Sequence, residues 1–253
     1  MRTVALWGLS ASGKTALLAQ LYLRFQSSSN SWRIFPTPQT QPFIEEMRSI
    51  MVERAQFPLG TRLEQEKQIA YEFEHVKTHQ RVMLFTEDRA GILSERLDDA
   101  DVQRFAGADG LIILIDTVAR TSYESEILRA LEHFYHSARS AGSSVDTRPL
   151  AFCLAKADLF TKTAADLARA IQQPDDFVLE RLPEDFVAWI RQYCPNRRFF
   201  PISAVGVQAK FGAVRPAVFY DEAMLLRVTN QGAPINLMMP FEWLFEQLGN
   251  KQE

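Results

Sequence analysis

Gly8-Leu9-Ser10-Ala11-Ser12-Gly13-Lys14-Thr15 decides how this chain is read. The stretch fits G-x-x-x-x-G-K-[ST], a loop whose backbone N–H groups cradle phosphates. Its flanks fit as well. Thr3 to Trp7 is a short apolar run that reads as a buried strand, and Ala16 to Phe25 is apolar at helical spacing. A strand, a glycine-rich turn and a helix start aim several N–H donors at one anion, and the helix N-terminus adds partial positive charge. The expected anion contacts are Gly8, Ser10, Ala11, Ser12, Gly13, Lys14, Thr15 and Ala16. Gly8 and Gly13 permit positive φ and close backbone approach. Lys14 is expected to reach the β- and γ-phosphates, and the Thr15 hydroxyl to bind Mg²⁺.

The rest of the composition sets bounds. With 253 residues, 47% of them hydrophobic, the expectation is a single domain over 1–253, with insertions near 30–60 and 162–194. The net charge is −3 with mixed signs and no basic stripe, so no nucleic-acid partner is expected. Cys153 and Cys194 are too few for a disulfide framework. No apolar stretch reaches the roughly 18 residues of a membrane span. The first strand begins almost at Met1, and neither end carries a lipidation pattern. A cytoplasmic chain without a transmembrane segment or lipid anchor is expected.

Strand-like and helix-like runs alternate for most of the length. This predicts an α/β fold of the P-loop NTPase kind: three layers, α/β/α, with a mainly parallel sheet and one antiparallel hairpin strand. Residues 27–41, rich in Ser, Pro, Thr and Gln, read as loop, and 42–56 as a helix. Ile69 to Val76 alternates apolar and polar residues and is expected to pair with Arg81 to Phe85. Leu111 to Ile115 is almost purely apolar, as a strand buried on both faces should be. A long helix is expected near 122–141, strands at 149–155 and 199–203, one or two helices within 162–194, and a last helix near 239–248.

Four further features follow in the order a nucleotide switch requires. Asp88-Arg89-Ala90-Gly91 matches D-x-x-G at a strand end; Asp88 is expected to hold Mg²⁺ and the Gly91 N–H to bond the γ-phosphate. Ala155-Lys156-Ala157-Asp158 follows a later strand. The Asp158 carboxylate is suited to accept from guanine N1–H and N2–H₂ together, a donor pair that adenine lacks at that edge. The Lys156 stem is suited to cover the base. Ser203-Ala204, after the last strand, offers a backbone N–H to guanine O6. Thr61, in Pro58-Leu59-Gly60-Thr61, is expected to close over Mg²⁺ and the γ-phosphate.

With these residues the chain resembles the Ras-like P-loop GTPases of the translation-factor-related class, over about residues 3–248. Pro58-Leu59-Gly60-Thr61 and Pro240-Phe241-Glu242-Trp243-Leu244 are similar to segments of the bacterial double-GTPase group. The resemblance implies a GTP/GDP-binding, Mg²⁺-dependent switch regulated by a protein effector or activator, with Lys14, Thr61 and Gly91 in catalysis. Three departures stand out. Ala155 stands where N-K-x-D has Asn, which implies weaker nucleotide affinity with the Asp158 readout kept. Ile92 stands where a water-orienting Gln is often found, which implies that intrinsic hydrolysis is slow or uses another group. Ala11 replaces the Asn of potassium-activated relatives, which argues against that mechanism. The alternatives are a nucleotide-bound scaffold that does not hydrolyse, and a P-loop kinase or ATPase, for which no second substrate site or Arg-rich lid is visible. His75, His79, His133 and His136 lack metal-ligand spacing. Arg54, Arg62, Arg89 and Arg96 flank the switch segments as solvated charge, with an arginine finger as the competing role. Trp7 and Trp243 read as core.

Overall fold

The computed structural model describes residues 1–9, 11–25, 31–58, 67–88, 105–118, 127–129, 131–132, 145–210, 213–229 and 232–249. A seven-stranded sheet runs through the centre in the order β2-β3-β4-β1-β5-β6-β7. The strands are β1 (Arg2–Gly8), β2 (Trp32–Pro36), β3 (Lys67–His75), β4 (Arg81–Asp88), β5 (Gly110–Ile115), β6 (Leu150–Leu154) and β7 (Arg197–Pro201). β4, β1, β5, β6 and β7 pair in parallel. β3 alone runs against them, hydrogen-bonded antiparallel to both β4 and β2.

Alternate residues of the central strands feed two cores. Val4 and Leu6 of β1, Ile112 and Leu114 of β5, and Cys153 of β6 enter one. Ala5 and Trp7, Ile113 and Ile115, and Phe152 and Leu154 enter the other. Both faces are therefore apolar, which is why these strands read as continuous hydrophobic runs. The first core is covered by α1 (Lys14–Phe25) and α2 (Gln41–Arg48). The second is covered by α3 (Ala164–Gln172), α4 (Pro174–Leu179) and α5 (Glu184–Tyr193). The closing helix α6 (Met239–Gly249) returns to the first face with Phe241, Leu244, Phe245 and Leu248. The result is the three-layer α/β/α arrangement.

Several local expectations need correction. Part of 27–41 is the edge strand β2, not loop. Trp32 and Ile34 point inward while Arg33 and Phe35 face out, and pairing with β3 overrides the Ser/Pro-rich composition. The helix expected over 42–56 is α-helical to Arg48 only. A π-helical turn, Ser49–Glu53, follows, and Ala55 at φ 51° ends it. Residues 162–194 hold three helices; Thr163 and Asp166 form a capping box at the first. The helix expected near 122–141 falls largely outside the described residues, of which 127–129 and 131–132 are helical.

The larger surprise lies after β7. Residues 203–235 form five short strands: β8 (Ser203–Lys210), β9 (Ala213–Pro216), β10 (Val218–Tyr220), β11 (Leu226–Val228) and β12 (Ala233–Ile235). They make a three-stranded sheet, β12-β8-β9, and a separate β10–β11 hairpin. Their 3–8-residue lengths and mixed polarity leave little periodicity to read.

Candidate nucleotide site

The candidate site lies at the carboxyl ends of the parallel strands, where open α/β sheets bind ligands. β1 ends at Gly8 and α1 begins at Lys14. A Cβ on Gly8 would sit 2.7 Å from Ser12 Oγ and 2.8 Å from Leu114 Cβ, so only glycine lets the loop and β5 approach this closely. Gly13 has φ +90° and Ala11 φ 59°. The alanine holds a left-handed conformation that costs an L-residue about 1–2 kcal/mol. Lys14 Nζ donates to Gly8 O at 2.6 Å and Leu9 O at 3.0 Å, which keeps the ammonium inside the loop. Ser12 is 1% exposed, and its Oγ has no hydrogen-bond partner among the described residues. A buried polar atom without a partner costs about 1–3 kcal/mol, so an acceptor or donor supplied by a ligand relieves it.

The second half of the site comes from β6 and β7. Lys156 follows β6 in a left-handed conformation, φ 57° and ψ 35°, at the start of a short 3₁₀ turn, Ala157–Leu159. Its Nζ donates to Asp116 Oδ2 at 2.5 Å. Asp116 sits directly after β5, its side chain sealed from solvent, and its Oδ1 accepts from the Val118 N–H at 2.9 Å. Ser203 Oγ donates to Asp158 Oδ1 at 2.5 Å and accepts from the Gly206 N–H at 2.9 Å. The Ala157 N–H donates to Ile202 O at 3.0 Å, which locks the two loops together. Burial raises the Asp158 pKa above the usual carboxylate value; the Ser203 hydroxyl and the Lys156 charge pull it back.

One cleft of about 440 Å³ joins the halves. It is lined by Ser12, Gly13 and Ala16 of the phosphate loop, by Ala155, Lys156 and Asp158, and by Ser203 and Ala204. Thus residues about 140 positions apart in sequence share one cavity. Gly8, Ala11, Lys14 and Thr15 complete the loop and first turn beside it. Ser10, Thr61, Gly91, Ile92, Arg62, Arg89, Arg96, His133 and His136 lie outside the described residues, as does the Asp88 side chain; Asp88 is the last residue of β4. His75 and His79 bond locally, His75 Nδ1 with Thr78 and His79 Nδ1 with Glu74.

Two groups of residues escaped the sequence reading. Asp116 had a usable signal: a lone carboxylate at the carboxyl end of an apolar parallel strand. Phe57, Val218, Tyr220 and Leu226 also line the cleft, and no motif marks them.

The fold and the loop define a P-loop protein of the GTPase type. Within that class the chain belongs to the Double-GTPase 2 family, whose profile matches residues 2–210. No curated protein matches it. Among solved structures, it is similar to the GTP-bound GTPase-like domain of S. cerevisiae Ski7. The TM-score is 0.51 at 17% identity, covering 100% of this chain and 51% of that one. Sup35 complexed with GDP gives 0.38 at 14% identity, over 80% of this chain and 37% of that one. Roco2 RocCORdC of Methanosarcina barkeri, bound to GDP, gives 0.37 at 16%, over 80% and 43%. This chain spans about half or less of their lengths. The Ski7 likeness shows the fold. Among the described residues, no helix is long and apolar enough to cross a membrane.

Proposed function

We propose that the chain is a guanine-nucleotide-binding molecular switch with slow, Mg²⁺-dependent GTP hydrolysis, regulated by a partner protein. The observation that carries this reading is the shared cleft, which brings Gly13 of the phosphate loop and the Asp158 carboxylate into one cavity. Asp158 accepts from guanine N1–H and N2–H₂, while the loop N–H groups, Ser12 Oγ and Lys14 hold the phosphates. Thr15, Thr61 and Asp88 are the proposed Mg²⁺ residues; the ion would neutralise charge on the β- and γ-phosphates. Water attacks the γ-phosphorus in line, the new P–O bond forms as the bond to the β–γ bridging oxygen breaks, and a water proton passes to a phosphate oxygen as GDP and inorganic phosphate leave. Lys14 and the loop donors stabilise the charge that builds on the phosphate oxygens.

Ala155 favours a second reading, a nucleotide-bound scaffold that does not hydrolyse. It lines the cleft with a methyl group where an amide would brace the base. Extraction and chromatography of nucleotide from the purified protein test the first reading, with GDP or GTP expected. ATP competing as well as GTP against a labelled guanine nucleotide rejects it. A single-turnover assay separates slow hydrolysis from none.

A further inference from the structure

We infer that the β10–β11 hairpin is a nucleoside-binding wall of this cleft, with Tyr220 as a base-stacking contact. The inference rests on the nucleotide reading above and adds to it a contact surface that the motifs do not contain.

The hairpin geometry sorts its side chains. Val218 and Tyr220 are two residues apart on β10 and so share a face. Tyr220 is paired directly with Leu226 across the hairpin, which puts Leu226 on that face too. Val218, Tyr220 and Leu226 all line the cleft together with Gly13, Lys156 and Asp158. Phe219 and its partner Arg227 fall on the opposite face. One face of the hairpin is therefore an apolar lining for the cavity.

The wall is fixed on both sides. The Phe57 N–H donates to Leu226 O at 3.0 Å and the Val228 N–H to Ala55 O at 2.9 Å, with a Gln56–Arg227 bridge between them. On the other side the Ala217 N–H donates to Gly206 O at 2.9 Å, next to the Ser203–Asp158 pair. The turn is closed by Asp221, whose carboxylate accepts from the Ala223 and Leu225 N–H groups and from Arg227 Nε. A hairpin held this way presents its side chains without a large ordering cost on binding.

An apolar, aromatic face contributes nothing to a bare phosphate. It suits a ligand with an anionic tail and a flat π-system, a nucleoside di- or triphosphate, because every base offers a face for stacking. Tyr220 leaves 65% of its surface exposed, so a ligand has area to cover. Ala155 supplies no hydrogen bond to the base, and apolar contact from the hairpin makes up part of that loss. Residues 218–226 lie past the family match, which ends at 210.

The test uses the full chain and two probes, GDP and inorganic tripolyphosphate, which has the charge but no nucleoside. Tyr220→Ala should weaken GDP binding at least fivefold by calorimetry. Tyr220→Phe, which keeps the ring, should stay within about twofold of wild type. Tripolyphosphate affinity, read by competition, should be the same in all three proteins, and their thermal unfolding without ligand should coincide. Unchanged GDP affinity in Tyr220→Ala, beside normal binding by wild type, overturns the inference and leaves the nucleotide reading intact. An equal loss for GDP and tripolyphosphate also overturns it, since the hairpin then acts on the fold rather than the nucleoside. Absence of GDP binding by the wild-type chain rejects the guanine reading itself.

Discussion

On the proposed reading, Asp158 is under two opposed demands. Guanine recognition needs a carboxylate, yet Asp158 is only 6% exposed and burial raises its pKa. The sign of the consequence follows. In the nucleotide-free protein the folded-state pKa stands above the unfolded one, so its contribution to stability is present below the unfolded value and lost as pH rises through the folded value. Binding runs the other way: a protonated Asp158 must release its proton to accept two guanine donors. GDP affinity should therefore fall as pH drops through the raised value, by up to tenfold per pH unit. Calorimetry from pH 7 downward reads this slope, and Asp158→Asn should remove it, leaving only the titration of the phosphates. Asp158→Asn should also weaken GDP and favour xanthine nucleotides, whose 2-oxo group accepts from an amide. A wild-type slope no steeper than the variant's would rule out the carboxylate as the guanine reader. The neighbouring ion pair gives a second prediction. Among the described residues, Lys156→Ala leaves the sealed Asp116 carboxylate with only the Val118 N–H as a hydrogen-bond donor. The cost should be about 2–3 kcal/mol, less than the roughly 3–5 of a fully sealed pair, because Lys156 keeps a third of its side chain in solvent. Lys156→Ala/Asp116→Ala should recover much of it in urea denaturation. A double variant as unstable as the sum of its single changes would show that the two groups do not act as a pair.

At the scale of elements, legibility in the sequence tracked how a segment is buried. β1, β5 and β6 are buried on both faces and appear as unbroken apolar runs, and α1 is buried continuously from Ala16 to Tyr22, which its apolar sequence matches. β3 was legible because Ile69, Tyr71 and Phe73 alternate with polar residues. β2 was not, because its five residues carry two inward side chains, and what makes them a strand is the edge of β3. The same holds for β9 to β12, whose three or four residues are too short for a period, and β8 is interrupted by Gly206 at φ 78°. For the site, fixed motif spacing singled out the phosphate loop and Asp158, and Ser12, Gly13 and Asp158 do line one cleft; their roles toward a nucleotide belong to the proposal. Asp116 carried only the weak signal of a lone carboxylate after an apolar strand, and Val218, Tyr220 and Leu226 carried none, because topology alone brings them to the cleft. The edge assignment carries its own prediction. Phe245 of α6 packs against Trp32 of β2 at 4.6 Å between ring centroids and against Phe73 of β3 at 4.9 Å. Phe245→Ala should cost about 3–5 kcal/mol, as expected for a large core aromatic. Protection of the β2 amides against hydrogen exchange should fall with it. A cost below about 1 kcal/mol would mean that α6 does not clamp this edge.

Across the whole molecule the question is whether nucleotide state reaches the surface. Phe57 links the two parts that matter. Its N–H is bonded to the hairpin at Leu226 O, and it stands just before Pro58-Leu59-Gly60-Thr61, the segment proposed to close over the γ-phosphate. On the other side of β1, β4 runs to Asp88, where the D-x-x-G segment begins. On the proposed reading, ordering of these segments by a γ-phosphate depends on Mg²⁺ and backbone contacts, so Ile92 in place of a Gln should slow chemistry without abolishing the switch. Unassisted turnover is then expected well below about 1 s⁻¹, the lower end of the usual enzyme range. A partner that recognises the GTP-ordered surface would supply the missing group. Hydrogen exchange tests this directly. With a non-hydrolysable GTP analogue, residues 58–65 and 88–100 should gain protection that GDP does not give. The Phe57 amide, already bonded to the hairpin, should be protected in both states and serves as an internal reference. Equal protection of 58–65 and 88–100 in the two states would reject the switch in favour of a nucleotide-stabilised scaffold. Fast hydrolysis by the isolated chain would instead mean that a group within it, such as one of the arginines beside these segments, already does the work assigned to the partner.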